Sequence, residues 1–439
     1  MKTTKVKVVL VHEEPNTPCW PCIDHDFSKE EKRIMTTVRE MNPDMEFDLV
    51  RYSQLAQAQA DYEKDLGVYD GVLVLNMTCW KGIDIFYAEN SKTGIPTIIA
   101  DVPYCGSGQI LTKTIPAVRE GKLPVPVLAT LNYAEIGQAV KLFDVLAKMK
   151  RSTILVITNQ ATSRIGEAFE KEWGCRFIYK TSGDVTEYMK QADLEAAKEI
   201  ADRWMKEALQ VREASREDIL QSAVLHIALK QMMTDCDADA VTVDCLTLSY
   251  EGDYDNGTHM YPCLSHYEML NQGKVAVCEA DLSATVTAML AQYLTDRPGF
   301  VSDPVIDTSS NQIIYAHCVG CTKIFGKNDS RQCQYAIRSH AEDKKGASVQ
   351  IFFPAGEKLT NIMVYPAQMN PAVIHSSKSV GNVGFDEGCR SKLAAETNAE
   401  AILNNWTGGW HRLTVFGDYK KQFMNLFKMK NLSVIEEDK

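Results

Sequence analysis

Four runs, "KVVLV", "DGVLVLN", "PTIIAD" and "VPVLAT", are apolar on both faces instead of alternating, and amphipathic stretches such as "SKEEKRIMTTVREM" and "YAEIGQAVKLFDVLAKM" lie between them. A strand with two apolar faces needs cover on both sides. An open parallel sheet flanked by helices provides that cover, so the spacing predicts an α/β domain over residues 1–150. The pattern restarts at "RSTILVITNQ" and continues through the helix "RIGEAFEKEWG", the strand "CRFIYK", a charged helical region from about Asp184 to Thr234, and strands in "ADAVTVDCLTLS" and "KVAVCEAD". Residues 151–300 are therefore expected to form a second Rossmann-like parallel-sheet domain. After "DRPGFVSDP" the texture changes. "IDTSSNQIIYAHCVG", "GASVQIFFPAG", "KLTNIMVYPAQM" and "WHRLTVFGDY" are short β-branched or alternating segments separated by Gly, Pro, Asn and Asp. They predict a C-terminal antiparallel β-barrel-like domain over residues 301–439. A chain of 439 residues is long enough for two or three such domains.

Bulk properties narrow the function. A net charge of -11 argues against a nucleic-acid or anionic-membrane partner, either of which favours a basic face, and leaves small-molecule chemistry as the expectation. No apolar run reaches the roughly 18 to 20 residues of a membrane span. The opening "MKTTKVKVVLVHEEP" passes from lysine into a strand-like run and then acids, unlike a signal peptide, so the expected compartment is the cytoplasm. The 13 cysteines are odd in number and fall largely inside apolar segments (Cys79, Cys175, Cys245, Cys278), as reduced core thiols do.

Two motifs are weak. The CxxC pairs Cys19/Cys22 and Cys318/Cys321 lie about 300 residues apart, and the first follows a strand in a loop instead of opening a helix, so a shared zinc site or a thioredoxin-type pair is not the expectation. "YCGSGQ" is Gly-spaced but lacks both the dinucleotide fingerprint and the phosphate-loop lysine, and reads as a tight turn.

The acids and histidines of the second half carry more. "KVAVCEAD" ends an apolar strand on Glu279 and Asp281. The carboxyl edge of a strand in an open α/β sheet is where ligand sites form. Asp303 follows Glu279 by 24 residues, across a helix of about four turns that returns the chain to near its start. His317 in "IIYAHC" and His411 in "GGWHRLTVF" add imidazoles. Two carboxylates and two imidazoles suit Mn²⁺, or another divalent ion such as Co²⁺, Fe²⁺ or Mg²⁺, better than a thiolate-rich zinc site. Asp281 reads as the cap of the intervening helix, with no share in Glu279's role, because residues two apart at such a junction point different ways.

On these residues the chain resembles the L-fucose isomerase and L-arabinose isomerase superfamily, chiefly in its second half. "CEADLSATVTAMLAQYLTDRPGFVSD" is similar to the fucose-isomerase segment in acid spacing, helix and final Asp. "IYAHCVG" with "GKNDSRQ" resembles the arabinose-isomerase stretch bearing a His ligand, and "GGWHRLTVFGD" the late segment supplying the last ligand. The resemblance implies Glu279, Asp303 and His411 as metal ligands, with His317 a fourth in the arabinose branch. It also implies a metal-dependent aldose–ketose isomerase working through a cis-enediol, with Glu279 and Asp303 dividing the acid and base roles. It implies a homo-oligomer as well, in which a neighbouring subunit completes the site. Polyol recognition calls for aromatic platforms, for which Trp410, Trp406 and Trp80 are candidates together with His12; Trp80 and His12 would act in trans. Asn382, Asp386 and Glu387 in "GNVGFDEGCR" either meet sugar hydroxyls or build a turn. Alternatives are a lyase or epimerase using the same enediolate chemistry on a sugar phosphate or sulfonate, and a non-catalytic sugar-binding protein.

Overall fold

A computed structural model describes residues 2–160, 162–254, 257 and 259–439. Internal contacts divide the chain into two compact units, one of residues 1–148 with 421–432 and one of residues 149–420 with 433–439.

The first unit is a five-stranded parallel sheet made of β1 (Thr4–Val11), β2 (Met45–Tyr52), β3 (Gly71–Asn76), β4 (Thr97–Asp101) and β5 (Val127–Ala129), in the order β2-β1-β3-β4-β5. The doubly apolar runs lie inside: β3 and β4 are buried along their whole length, whereas the edge strand β2 is half-buried or exposed at every residue but Tyr52. Helices such as Phe27–Met41, capped by Asp26, and Tyr133–Met149 connect the strands. The late helix Lys420–Met429 adds its buried Phe423, Leu426 and Phe427.

The second unit holds a four-stranded parallel sheet and a barrel. β6 (Thr153–Ile157), β7 (Arg176–Lys180), β9 (Ala240–Val243) and β10 (Val275–Cys278) align as β10-β9-β6-β7, while β8 (Gln210–Val211) pairs elsewhere. The charged region from Asp184 to Thr234 is three helices, Ser182–Lys190, Leu194–Glu207 and Arg216–Asp235. Breaks fall where side chains cap the backbone: Asp193 accepts from the N–H groups of Glu195 and Ala196, and Ser215 forms a reciprocal box with Asp218. The segment "ADAVTVDCLTLS" is strand only to Val243, where pairing with β6 and β10 ends, and continues as the helix Cys245–Glu251.

Beyond residue 300 come β11 (Phe300–Asp307), β12 (Gln312–His317), β13 (Gln334–Arg338), β14 (Ser348–Phe352), β15 (Lys358–Met363), β16 (Ala372–Asn382), β17 (Ser391–Glu396), β18 (Arg412–Phe416) and β19 (Val434–Glu436). Six of them run antiparallel in the order β15-β18-β11-β12-β17-β16, and β16 pairs back to β15, so the barrel closes. Closure leaves no exposed edge among them. β19 adds in parallel outside β16, and the β13–β14 hairpin joins β8 in a small separate sheet. The α/β fold with parallel sheets and a C-terminal antiparallel barrel is the one the sequence patterns predict. No helix among the described residues is long and apolar enough to cross a membrane.

Candidate metal centre

The site begins where β10 ends. Glu279 and Ala280 take consecutive left-handed conformations, φ 65° and 49°, before Asp281 caps the helix Leu282–Thr295 by accepting the Ala284 N–H at 2.9 Å. Neither is glycine, and each left-handed residue costs on the order of 1–3 kcal/mol, a strain that surrounding structure sustains at functional positions. The two residues break the strand's alternation, which corrects the expectation for Asp281. It does cap the helix, but its second oxygen accepts from His411 Nδ1 at 2.8 Å, while Glu279 Oε2 lies 3.5 Å from Nε2 of the same ring.

The barrel register supplies the rest. β11 pairs Asp303 with Ala316, the neighbour of His317, on one side, and Ser302 with Arg412, the neighbour of His411, on the other. One strand between two partners thus gathers three side chains that are distant in sequence. His411 Nε2 is 3.2 Å from Asp303 Oδ1, and His317 Nε2 is 3.7 Å from Glu279 Oε1. One donor atom from each of Glu279, Asp303, His317 and His411 lies within 4.8 Å of all the others. Both Nε2 atoms are buried without a hydrogen-bond partner. Orphaned buried nitrogens are costly, and a cation held between the His411 nitrogen and the carboxylates would satisfy that one, so these residues could hold a metal ion.

Electrostatics separates the two histidines. Burial disfavours charge on His411, but Asp281, Asp303 and Glu279 outweigh it and raise the imidazole to about 10. Burial likewise pushes Asp281 and Asp303 up, and the adjacent His411, hydrogen-bonded to Asp281 and ion-paired with Asp303, reverses this, holding both below the ordinary carboxylate value. The protonated ring occupies the place in this charge balance that a metal ion would take. With Nδ1–H donated to Asp281, loss of the other proton leaves an Nε2 lone pair aimed at the site, the usual carboxylate–histidine–metal arrangement. His317 is set the other way. Its Nδ1 accepts the backbone N–H of Cys318 at 3.0 Å, so the neutral ring carries its proton on Nε2, facing Glu279.

These groups open onto a cleft of about 460 Å³ at the carboxyl edges of β6, β9 and β10, whose lining includes Thr158, Asp244, Glu279, Asp281, Asp303 and Trp410. Sequence reasoning passed over Thr158 and Asp244, although each directly follows a strand, as Glu279 does. Thr158 donates to Asp244 at 3.2 Å. Trp410, 64% exposed, is held by its Nε1–H on the Pro304 carbonyl and faces the cleft. Trp406 does not reach the cleft; its ring lies 3.7 Å from the Arg412 guanidinium and packs there. Asn382 is spent on backbone bonds to Ile351 and Phe353, and Asp386 pairs with Arg338, so both build structure. In the first unit, Trp80 is exposed over a cleft shared with Trp20, Cys19 and Glu13, and His12 stacks on Phe27. None of the 13 cysteines, all among the described residues, is joined in a disulfide.

No family model and no curated protein matches the chain. Among solved structures it is similar to a crystal structure titled as a two-component system response regulator/GGDEF domain protein, at 13% identity and a TM-score of 0.25, over 54% of this chain and 81% of that one.

Proposed function

We propose that the protein is a metal-dependent aldose–ketose isomerase acting on a neutral open-chain sugar. The observation that carries the reading is the convergence of Glu279, Asp303 and His411 donor atoms, with Asp281 orienting the imidazole, on an open cleft at the sheet's carboxyl edge. In this reading Glu279, Asp303 and His411 hold the ion, and His317 presents Nε2–H to Glu279. A divalent ion held there would polarise a sugar carbonyl and acidify the adjacent C–H. One of the two carboxylates takes the proton from C2 while O1 gains one, giving a cis-enediol. Return of a proton to C1, with loss of the O2 proton, yields the ketose, so no atom is gained or lost. The two carboxylates have different neighbours, His411 beside Asp303 and both His411 and His317 beside Glu279, as a division of acid and base roles requires. Asp244, Glu279, Asp281 and Asp303 make the lining acidic, which favours a neutral polyol over a sugar phosphate or sulfonate. Trp410 offers the apolar face of such a sugar a platform, and a neighbouring copy's Trp80 and His12 complete the site.

The test is ketose formation from a panel of aldoses after EDTA treatment and Mn²⁺ addition, with NMR in D₂O to separate C2 exchange from C–C cleavage. Activity is expected to vanish with EDTA, return with Mn²⁺ and fall by at least about 10²-fold in Glu279→Gln. Full activity in Glu279→Gln, or cleavage products in place of ketose, would refute the proposal.

A further inference from the structure

The loop that carries His411 has no strand or helix pairing of its own between the helix Ala399–Asn405 and β18. Two side chains, Arg412 and Tyr365, hold it. The Arg412 guanidinium donates from Nη1 to the carbonyls of Gly409 at 3.0 Å and His411 at 2.9 Å, and from Nη2 to that of Thr407 at 2.9 Å. Tyr365 Oη accepts from the Gly409 N–H at 2.9 Å and from Arg412 Nη1 at 3.1 Å. Gly408 lies so close that a Cβ there would sit 2.4 Å from the Tyr365 ring, and its φ of 76° also selects glycine.

The remaining donors of Arg412 go to the chain's end. Glu437 accepts from Arg412 Nη2 at 2.6 Å and Nε at 3.2 Å, and from His375 Nδ1 at 2.9 Å, with both charged side chains fully buried. Glu437 itself is fixed by its N–H on the Ile374 carbonyl, just after β19 has paired with β16. A buried ion pair of this kind yields little net stability over an apolar replacement, because desolvation offsets the attraction. It does impose direction, since a guanidinium with two donors on a carboxylate can point its other donors only one way.

We infer that Glu437, in the C-terminal tail, is a positioning residue for the metal centre, acting through Arg412 and Tyr365 to hold the loop bearing Trp410 and His411. The inference rests on the proposed metal centre. Its test titrates the metal-free full-length chain with Co²⁺, following d–d absorption, for the wild type, Glu437→Gln, Glu437→Asp and Tyr365→Phe, with circular dichroism and melting curves alongside. Glu437→Gln and Tyr365→Phe are expected to bind Co²⁺ about 10- to 100-fold more weakly with an altered spectrum well below their unfolding transitions, as loss of outer-shell support does. Glu437→Asp should recover part of the loss. A wild type that binds no Co²⁺ overturns the metal centre itself. A wild type that binds, beside variants of unchanged affinity and spectrum, overturns only the positioning role, even if their melting temperatures fall. Should Glu437→Gln not fold, Tyr365→Phe decides, because it removes one oxygen from the same cradle and leaves no buried charge unpaired.

Discussion

Asp281 does two jobs because its oxygens face different partners: one accepts the Ala284 N–H, the other the His411 Nδ1–H. Asparagine caps helices as well as aspartate, so Asp281→Asn separates these roles. It should leave stability within about 1 kcal/mol while weakening Mn²⁺ binding about 10- to 100-fold, measured by titration of the metal-free protein. The histidines provide the matching contrast. His411→Gln should abolish metal binding, whereas His317→Gln should keep the ion and lose turnover, because the Nδ1 of His317 is already committed as an acceptor to Cys318. Equal loss of metal in both variants would make His317 a fourth ligand.

Two elements store what the site needs. The β10-to-helix junction carries left-handed strain at Ala280, whose side chain is no ligand. Ala280→Gly should therefore stabilise the protein, by about 0.5–1 kcal/mol after the extra chain entropy of glycine is counted, as read from denaturant midpoints. At the other end, burial pushes the Glu437 carboxyl up, but hydrogen bonds from His375 and Arg412 outweigh it and hold the group below its ordinary 4.5. A depressed carboxylate contributes stability that is present above the unfolded value and lost as pH falls through the folded one. Unfolding measured along a pH series should show wild type losing stability below about 4.5 more steeply than Glu437→Gln. Parallel curves would mean that the ion pair adds nothing in the folded state.

At the scale of the whole molecule, the chain is two compact units, and its path returns to the first unit for residues 421–432 before the tail rejoins the second. The proposed sharing of a site between copies predicts complementation. Trp80→Ala and Glu279→Gln should each be nearly inactive alone, and a refolded mixture should recover activity, because some sites then combine an intact metal centre with an intact Trp80. A mixture no more active than its components, in an assembly shown by light scattering to contain both, would place the complete site within one copy.

Much of the architecture was legible because burial on two faces leaves a periodic record: the doubly apolar runs became β1, β3 and β4, and the change of texture near residue 300 became the barrel. The convergence of Glu279, Asp303, His317 and His411 was legible too, as acids and imidazoles within or beside predicted strands. Sequence could not reveal what depends on pairs far apart along the chain. The barrel register that sets Ser302 beside Arg412, the left-handed turn that swings Asp281 onto His411, and the tail carboxylate that grips Arg412 are matters of closure and local φ, for which a linear pattern has no period. Trp406 makes the same point, since nothing in "NNWTGGWH" distinguishes the tryptophan that faces the cleft from the one that packs on a guanidinium.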